Sequence, residues 1–184
     1  MSQTSYSIIE CLRKKDNHIR GISKYLGINQ MSVLRKLKEL EERNIVDYRE
    51  EGKNKVYFIK ESIEAKEFLF ILEHEKLIET IEKYPRLRNI VKIIKEKKDI
   101  KLSVLFGSYA EKKATFDSDI DLFIETDDPQ IKKELELLDS KLSLKTGNLE
   151  NFSELGQEII KKHVIFKGFE IFYDKIHKKT YQGK

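Results

Sequence analysis

The hydrophobic period of this 184-residue chain changes three times, and each change limits what the flanking segments can become. Apolar residues first recur at helical spacing. Tyr6, Ile8, Ile9 and Leu12 form one stripe, and Ile19, Ile22, Tyr25 and Leu26 a second. Val33, Leu34, Leu37 and Leu40 form a third. These predict helices over 4–14, 18–26 and about 30–43. Gly27 closes the second, Asn29 caps the third, and Asn44 takes the left-handed position that ends it. The period then drops to two: 45–49 and 55–59 alternate like strands around a polar turn, which is a hairpin. From Glu61 the helical period returns for about twenty residues through Ile63, Phe68, Ile71 and Ile78. Pro85 breaks it before a second helical stretch over 87–98. The last 85 residues mix the two periods. Strands are predicted at 102–106 and 119–124, within 143–152, and last at 169–173. Helices are predicted at 130–138 and 153–163, with a helical turn at 109–113 and a polar tail.

Composition narrows the class. Apolar residues are 39% and charged residues 37%, arranged periodically, so the chain folds. No apolar run suits a membrane span, the N-terminus lacks signal-peptide order, and the single Cys11 has no internal partner, so a cytoplasmic protein is expected. The four histidines are scattered without zinc spacing. The net charge of +4 is uneven: residues 1–60 carry 13 Lys/Arg against 8 Asp/Glu, 61–99 carry 9 against 9, and 100–184 carry 14 against 15. Polyanion contact belongs to the first third, and different chemistry to the last.

That chemistry centres on Leu105-Phe-Gly-Ser-Tyr-Ala-Glu-Lys-Lys-Ala-Thr-Phe-Asp-Ser-Asp-Ile-Asp-Leu-Phe-Ile124. An apolar strand runs into Gly107-Ser108, where a glycine backbone, free N–H groups and a hydroxyl can receive a phosphate. Asp119 and Asp121 are two apart on a strand and face the same side, where they repel unless a cation lies between them. Hard oxygen ligands select Mg²⁺ or Mn²⁺. A lone Asp-x-Asp is an ordinary solvated turn, but apolar flanks make this one part of a strand. An EF-hand is excluded, because Leu122 stands where that loop needs glycine. A phosphate cradle beside a metal-binding carboxylate pair is equipment for nucleotidyl transfer.

Gly107-Ser108-x-Ala110 followed by Ser118-Asp119-Ile120-Asp121-Leu122 resembles the signature of minimal nucleotidyltransferases of the DNA polymerase β superfamily, over about residues 100–173. The resemblance implies that Gly107 and Ser108 bind the triphosphate of an NTP and that Asp119 and Asp121 bind divalent metal. It also implies a third carboxylate from a later neighbouring strand, a role that falls to Glu150. Where that family has a second glycine this chain has Lys112, a candidate phosphate contact.

Three helices and a hairpin with a basic balance describe a winged helix-turn-helix. Residues 30–46 are similar to the recognition helix and first wing strand of ArsR- and MarR-type regulators, over about residues 4–60. The resemblance implies duplex DNA or RNA contact, with Gln30, Ser32, Arg35 and Lys36 towards base edges and phosphates and Arg49, Lys53 and Lys55 towards the backbone. A docking or dimerisation role is the alternative. The expected fold class is α+β: a winged helix over 1–60, a helical connector over 61–99 that pairs two copies into a homodimer, and a small mixed-sheet nucleotidyltransferase domain over 100–184. The expected function is NMP transfer from an NTP to a hydroxyl acceptor. The rivals are a transcription regulator that senses nucleotide and a toxin- or antitoxin-type enzyme acting on protein or tRNA.

Overall fold

A computed structural model describes residues 2–149 and 154–180. The chain divides into two compact units, Met1–Leu72 and Glu73–Lys184.

The first unit runs α1 (Gln3–Lys14), β1 (Asn17–His18), α2 (Ile19–Leu26), α3 (Gln30–Glu42), β2 (Val46–Glu51), β3 (Asn54–Ile59) and then α4 (Ile63–Lys83) as far as Leu72. The helix ends follow their capping residues. Asn29 Oδ1 accepts from Ser32 N at 2.8 Å, and Gly27 (φ 67°) and Asn44 (φ 60°) are left-handed at the ends of α2 and α3. Three antiparallel strands in the order β1-β3-β2 make the wing sheet. The β2–β3 pairing runs from Val46↔Ile59 to Glu51↔Asn54 around Gly52-Lys53. This is a winged helix-turn-helix. The core gathers Ile8, Ile9, Ile22, Val33, Leu37 and Ile45, with Cys11 buried beside them. Tyr25 departs from its expected inward place: it is 53% exposed and its hydroxyl accepts from Lys14 Nζ.

The expected connector is not a separate layer. Phe68, 2% exposed, packs on Tyr6 with ring centroids 5.5 Å apart, so the start of α4 belongs to the winged helix. The second helical stretch, α5 (Leu87–Glu96), enters the core of the second unit through Leu87, Ile90, Val91 and Ile94.

The second unit continues with β4 (Ile100–Leu105), α6 (Gly107–Ala110), β5 (Ile120–Thr126), α7 (Gln130–Glu136), β6 (Leu142–Thr146), α8 (Glu154–Lys161), β7 (Val164–Lys167) and α9 (Phe169–Thr180). Its mixed sheet has the order β6-β5-β4-β7: β5 and β6 are parallel, and β4 is antiparallel to both β5 and β7. Ile120, Leu122 and Ile124 join one core face with α5 and α7, while Leu102, Val104, Phe106, Phe123 and Phe172 join the other with α8 and α9.

The last strand needs correction. It lies at Val164–Lys167, and the expected strand at 169–173 is the start of α9, which carries part of the expected polar tail into helix. Phe169, Phe172, Tyr173 and Ile176 recur at i, i+3, i+4, i+7, a helical rather than alternating pattern. Gly168 makes the turn at φ 81°, and a Cβ there would lie 2.4 Å from Lys101 O.

Candidate functional site

The second unit's site is built where β4 and β5 meet. Phe106 N donates to Asp121 O at 3.0 Å, closing the ladder, and the chain then turns at Gly107 with φ 66°. A Cβ at Gly107 would lie 2.5 Å from Asp121 Oδ2. Only glycine combines that backbone angle with that approach. Ser108 follows at once, and Lys113 N donates to its carbonyl at 2.9 Å, folding the loop back over α6. The fold thus gathers Gly107, Ser108, Asp119 and Asp121.

Asp121 is half-buried and Asp119 exposed. Burial pushes the Asp121 carboxyl above the usual carboxylate range. A hydrogen bond from Ser143 works against that, while the charges of Asp119 and Glu158 add to it and Lys145 opposes it. Ser143 is the direct β6 partner of Asp121. Sequence reasoning missed Ser143, Lys145 and Glu158 as neighbours, because parallel register and the placement of α8 leave no local mark on the sequence. Only the alternation in Leu142-Ser143-Leu144-Lys145 hints that Ser143 and Lys145 share a face. Glu150 lies outside the described residues. Among those described, no group of three or more His, Cys, Asp or Glu is arranged to hold a metal ion.

Lys112 is turned elsewhere. Its ammonium pairs with Glu79, and Lys83 Nζ donates to its carbonyl at 2.6 Å. Its neighbour Lys113 pairs with Glu111 at 2.7 Å, as does Lys162 at 3.4 Å.

On the first unit, Asn29, Met31, Ser32, Leu34, Arg35 and Lys38 line one surface along α3. Leu34, expected in the core, is half-exposed here, and Met31 is 73% exposed. Gln30 is exposed at the start of α3. Lys36 pairs with Glu39 at 2.6 Å, whereas Arg35 and Lys38 are exposed. Lys38 is an addition to the expected set, and its one-turn spacing from Arg35 was the available signal. On the wing, Arg49 is held by Asp16 at 2.6 Å and Glu51 at 2.8 Å, and those two hydrogen bonds raise its pKa. Lys55 Nζ sits 3.6 Å from the Tyr48 ring centre, and Lys53 is exposed at the tip.

A 62-residue segment, 34% of this chain, is 45% identical to an uncharacterised HTH-type transcriptional regulator of Methanocaldococcus jannaschii. The match spans only 16% of that relative's length. Two crystal structures of adhesin competence repressor (AdcR) from Streptococcus pyogenes each cover 52% of this chain. They cover 74% and 81% of their own chains, at 19% and 15% identity and TM-scores of 0.40 and 0.36. So distant a likeness adds nothing to the strand order already described. Among the described residues, no helix is long and apolar enough to cross a membrane. Residues 88–176 match the family described as "Polymerase beta, Nucleotidyltransferase". That match runs from within α5 to within α9 of the second unit and takes in the Gly107-Ser108 turn and the aspartate pair.

Proposed function

We propose that this chain is a nucleotidyltransferase that moves a nucleoside monophosphate from an NTP to a hydroxyl acceptor, guided by a winged helix that binds duplex DNA or RNA. The observation that carries the reading is the approach of Gly107 to Asp121, which sets a bare stretch of backbone against a half-buried carboxylate. Ser108 Oγ and the N–H groups of Gly107 and Ser108 receive the triphosphate. Asp119 and Asp121 would hold Mg²⁺ or Mn²⁺. This donor set fits a hard cation: both ligands are carboxylates, and the pressure of burial and of Asp119 on Asp121 is relieved by positive charge. Bound there, the ion supplies neutralisation of phosphate charge and polarisation of the α-phosphorus. Ser143, the register partner of Asp121 on β6, would orient its carboxylate. The acceptor oxygen bonds to the α-phosphorus as the bond to pyrophosphate breaks, and pyrophosphate and the acceptor's proton are released.

On the first unit Gln30, Ser32, Arg35 and Lys38 face the nucleic acid from α3, and Lys53 meets phosphate from the wing. Lys36 joins only by leaving Glu39, Arg49 by leaving Asp16 and Glu51, and Lys55 by leaving Tyr48, and Lys112 reaches phosphate only by leaving Glu79. The chain acts as a homodimer in this reading.

A second reading, nucleotide sensing without turnover by a DNA-binding regulator, is favoured by Ser143. The β6 residue beside Asp121 supplies a hydroxyl and not a carboxylate. Incubation with each labelled NTP, Mg²⁺ and total RNA or lysate separates the two. Label on an acceptor, lost in Asp119→Asn, supports transfer. Saturable NTP binding with no labelled acceptor supports sensing. Neither binding nor transfer overturns both.

A further inference from the structure

The second unit buries four of its phenylalanines, Phe106, Phe123, Phe166 and Phe172, at 5% exposure or less, and leaves Phe116 87% exposed. A lone exposed ring is ordinary on a protein surface. This one differs in where it stands and how it is held. It lies in the loop between α6 and β5, three residues before Asp119, so its Cα lies within about 10 Å of that of the nearer carboxylate residue. The loop is fastened on both sides of it. Thr115 N donates to Ser118 Oγ at 2.9 Å. Lys141, just before β6, donates from Nζ to Phe116 O at 2.7 Å and to Asp117 Oδ1 at 3.3 Å. The same ammonium lies 4.9 Å from the ring centre. One cation therefore pins the backbone, the neighbouring carboxylate and the ring, and most of the ring remains open to solvent.

We propose that Phe116 is a stacking platform for a nucleobase. The assignment rests on the reading of Gly107, Ser108, Asp119 and Asp121 as an NTP site and deepens it. Phosphates held at that site leave a base to be placed, and an aromatic face accepts any base because each has a π-face. A platform already fixed costs little ordering on binding. The base belongs either to the donor NTP or to a nucleic-acid acceptor, and the chemistry at the ring is the same.

The test uses the full chain as wild type, Phe116→Ala and Phe116→Tyr. Each is titrated with MgATP, with magnesium tripolyphosphate and with a five-nucleotide single-stranded RNA. Being so exposed, Phe116 tolerates replacement without loss of fold. Phe116→Ala is expected to weaken one base-bearing ligand by roughly five- to a hundredfold and to leave tripolyphosphate unchanged, while Phe116→Tyr retains wild-type affinity. Loss confined to MgATP assigns the donor base, and loss confined to the RNA the acceptor base. Equal affinities in wild type and Phe116→Ala overturn the platform and leave the NTP site standing. An equal loss for tripolyphosphate also overturns it, since the ring then merely braces the loop. A wild type that binds none of the three ligands removes the NTP reading itself, and the platform with it.

Discussion

At Gly107 two demands converge, a left-handed backbone and a neighbour only 2.5 Å from where a Cβ would stand. Gly107→Ala is expected to cost about 1–2 kcal/mol in urea unfolding from the backbone angle alone, with displacement of Asp121 added to it. Its partner yields a prediction of opposite sign. The Asp121 carboxyl is raised by burial, so the folded state favours its protonated form. The stability that goes with protonation is fully present below the unfolded-state pKa and is lost as pH rises through the higher folded-state pKa. Asp121→Asn, which stays neutral, should therefore melt above wild type at pH 7 without ligand. The advantage should vanish in acid and be reversed by Mg²⁺ with NTP, which stabilise wild type only. A melting curve for Asp121→Asn at or below wild type at pH 7 would count against a strained carboxylate.

Among the elements, boundaries set by local chemistry were readable and those set by long-range packing were not. Gly27, Asn29 and Asn44 announced the limits of α2 and α3, since a cap is decided within a few residues. Asn29→Ala should cost about 1 kcal/mol in unfolding of the first unit. Strand β1 escaped because two residues cannot show alternation; it exists through pairing with Val56 and Tyr57. The expected strand at 169–173 is instead helix, because its apolar residues continue at helical spacing one turn further, to Ile176. The aspartate pair was legible because its spacing is local, and Ser143 was hidden because a parallel register is fixed by the whole sheet. A comparable long-range device ends α5. Lys167 Nζ, from β7, donates to the carbonyls of Ile94 at 3.5 Å and Lys95 at 3.3 Å and to that of Lys97. A cation on a helix C-terminus contributes about 0.3–2 kcal/mol, so Lys167→Met should lower the unfolding free energy measured in urea by that amount, less at high salt.

For the whole molecule, Arg35 and Lys38 of α3 and the aspartate pair fall in different units, so their functions should separate by mutation. Arg35→Ala with Lys38→Ala should weaken duplex binding and reduce the slope of log affinity against log salt by up to about 1.8, at roughly 0.9 per phosphate contact, without touching NTP binding. Lys36→Ala should change the slope less, because Glu39 already holds that charge. Asp121→Ala should do the reverse, keeping duplex binding and losing NTP. Assembly is tested through Ile71, 45% exposed, and not through Phe68. Phe68→Ala would remove about 3–5 kcal/mol from the first unit's core and report on folding. Ile71→Glu should turn a sedimenting dimer into monomer at micromolar concentration, and an unchanged dimer would place the interface elsewhere.

Cys11 is the chain's single cysteine, buried in the first unit, with its thiol pushed up by that burial and so kept from the reactive thiolate form. The protein therefore comes with a chemically quiet background. One new cysteine at exposed Lys38 should accept a maleimide dye selectively, without first stripping out a native thiol. A fluorophore on the recognition helix, read while NTP is added, would show by its colour or anisotropy whether occupancy of the nucleotidyltransferase domain is felt where the nucleic acid binds.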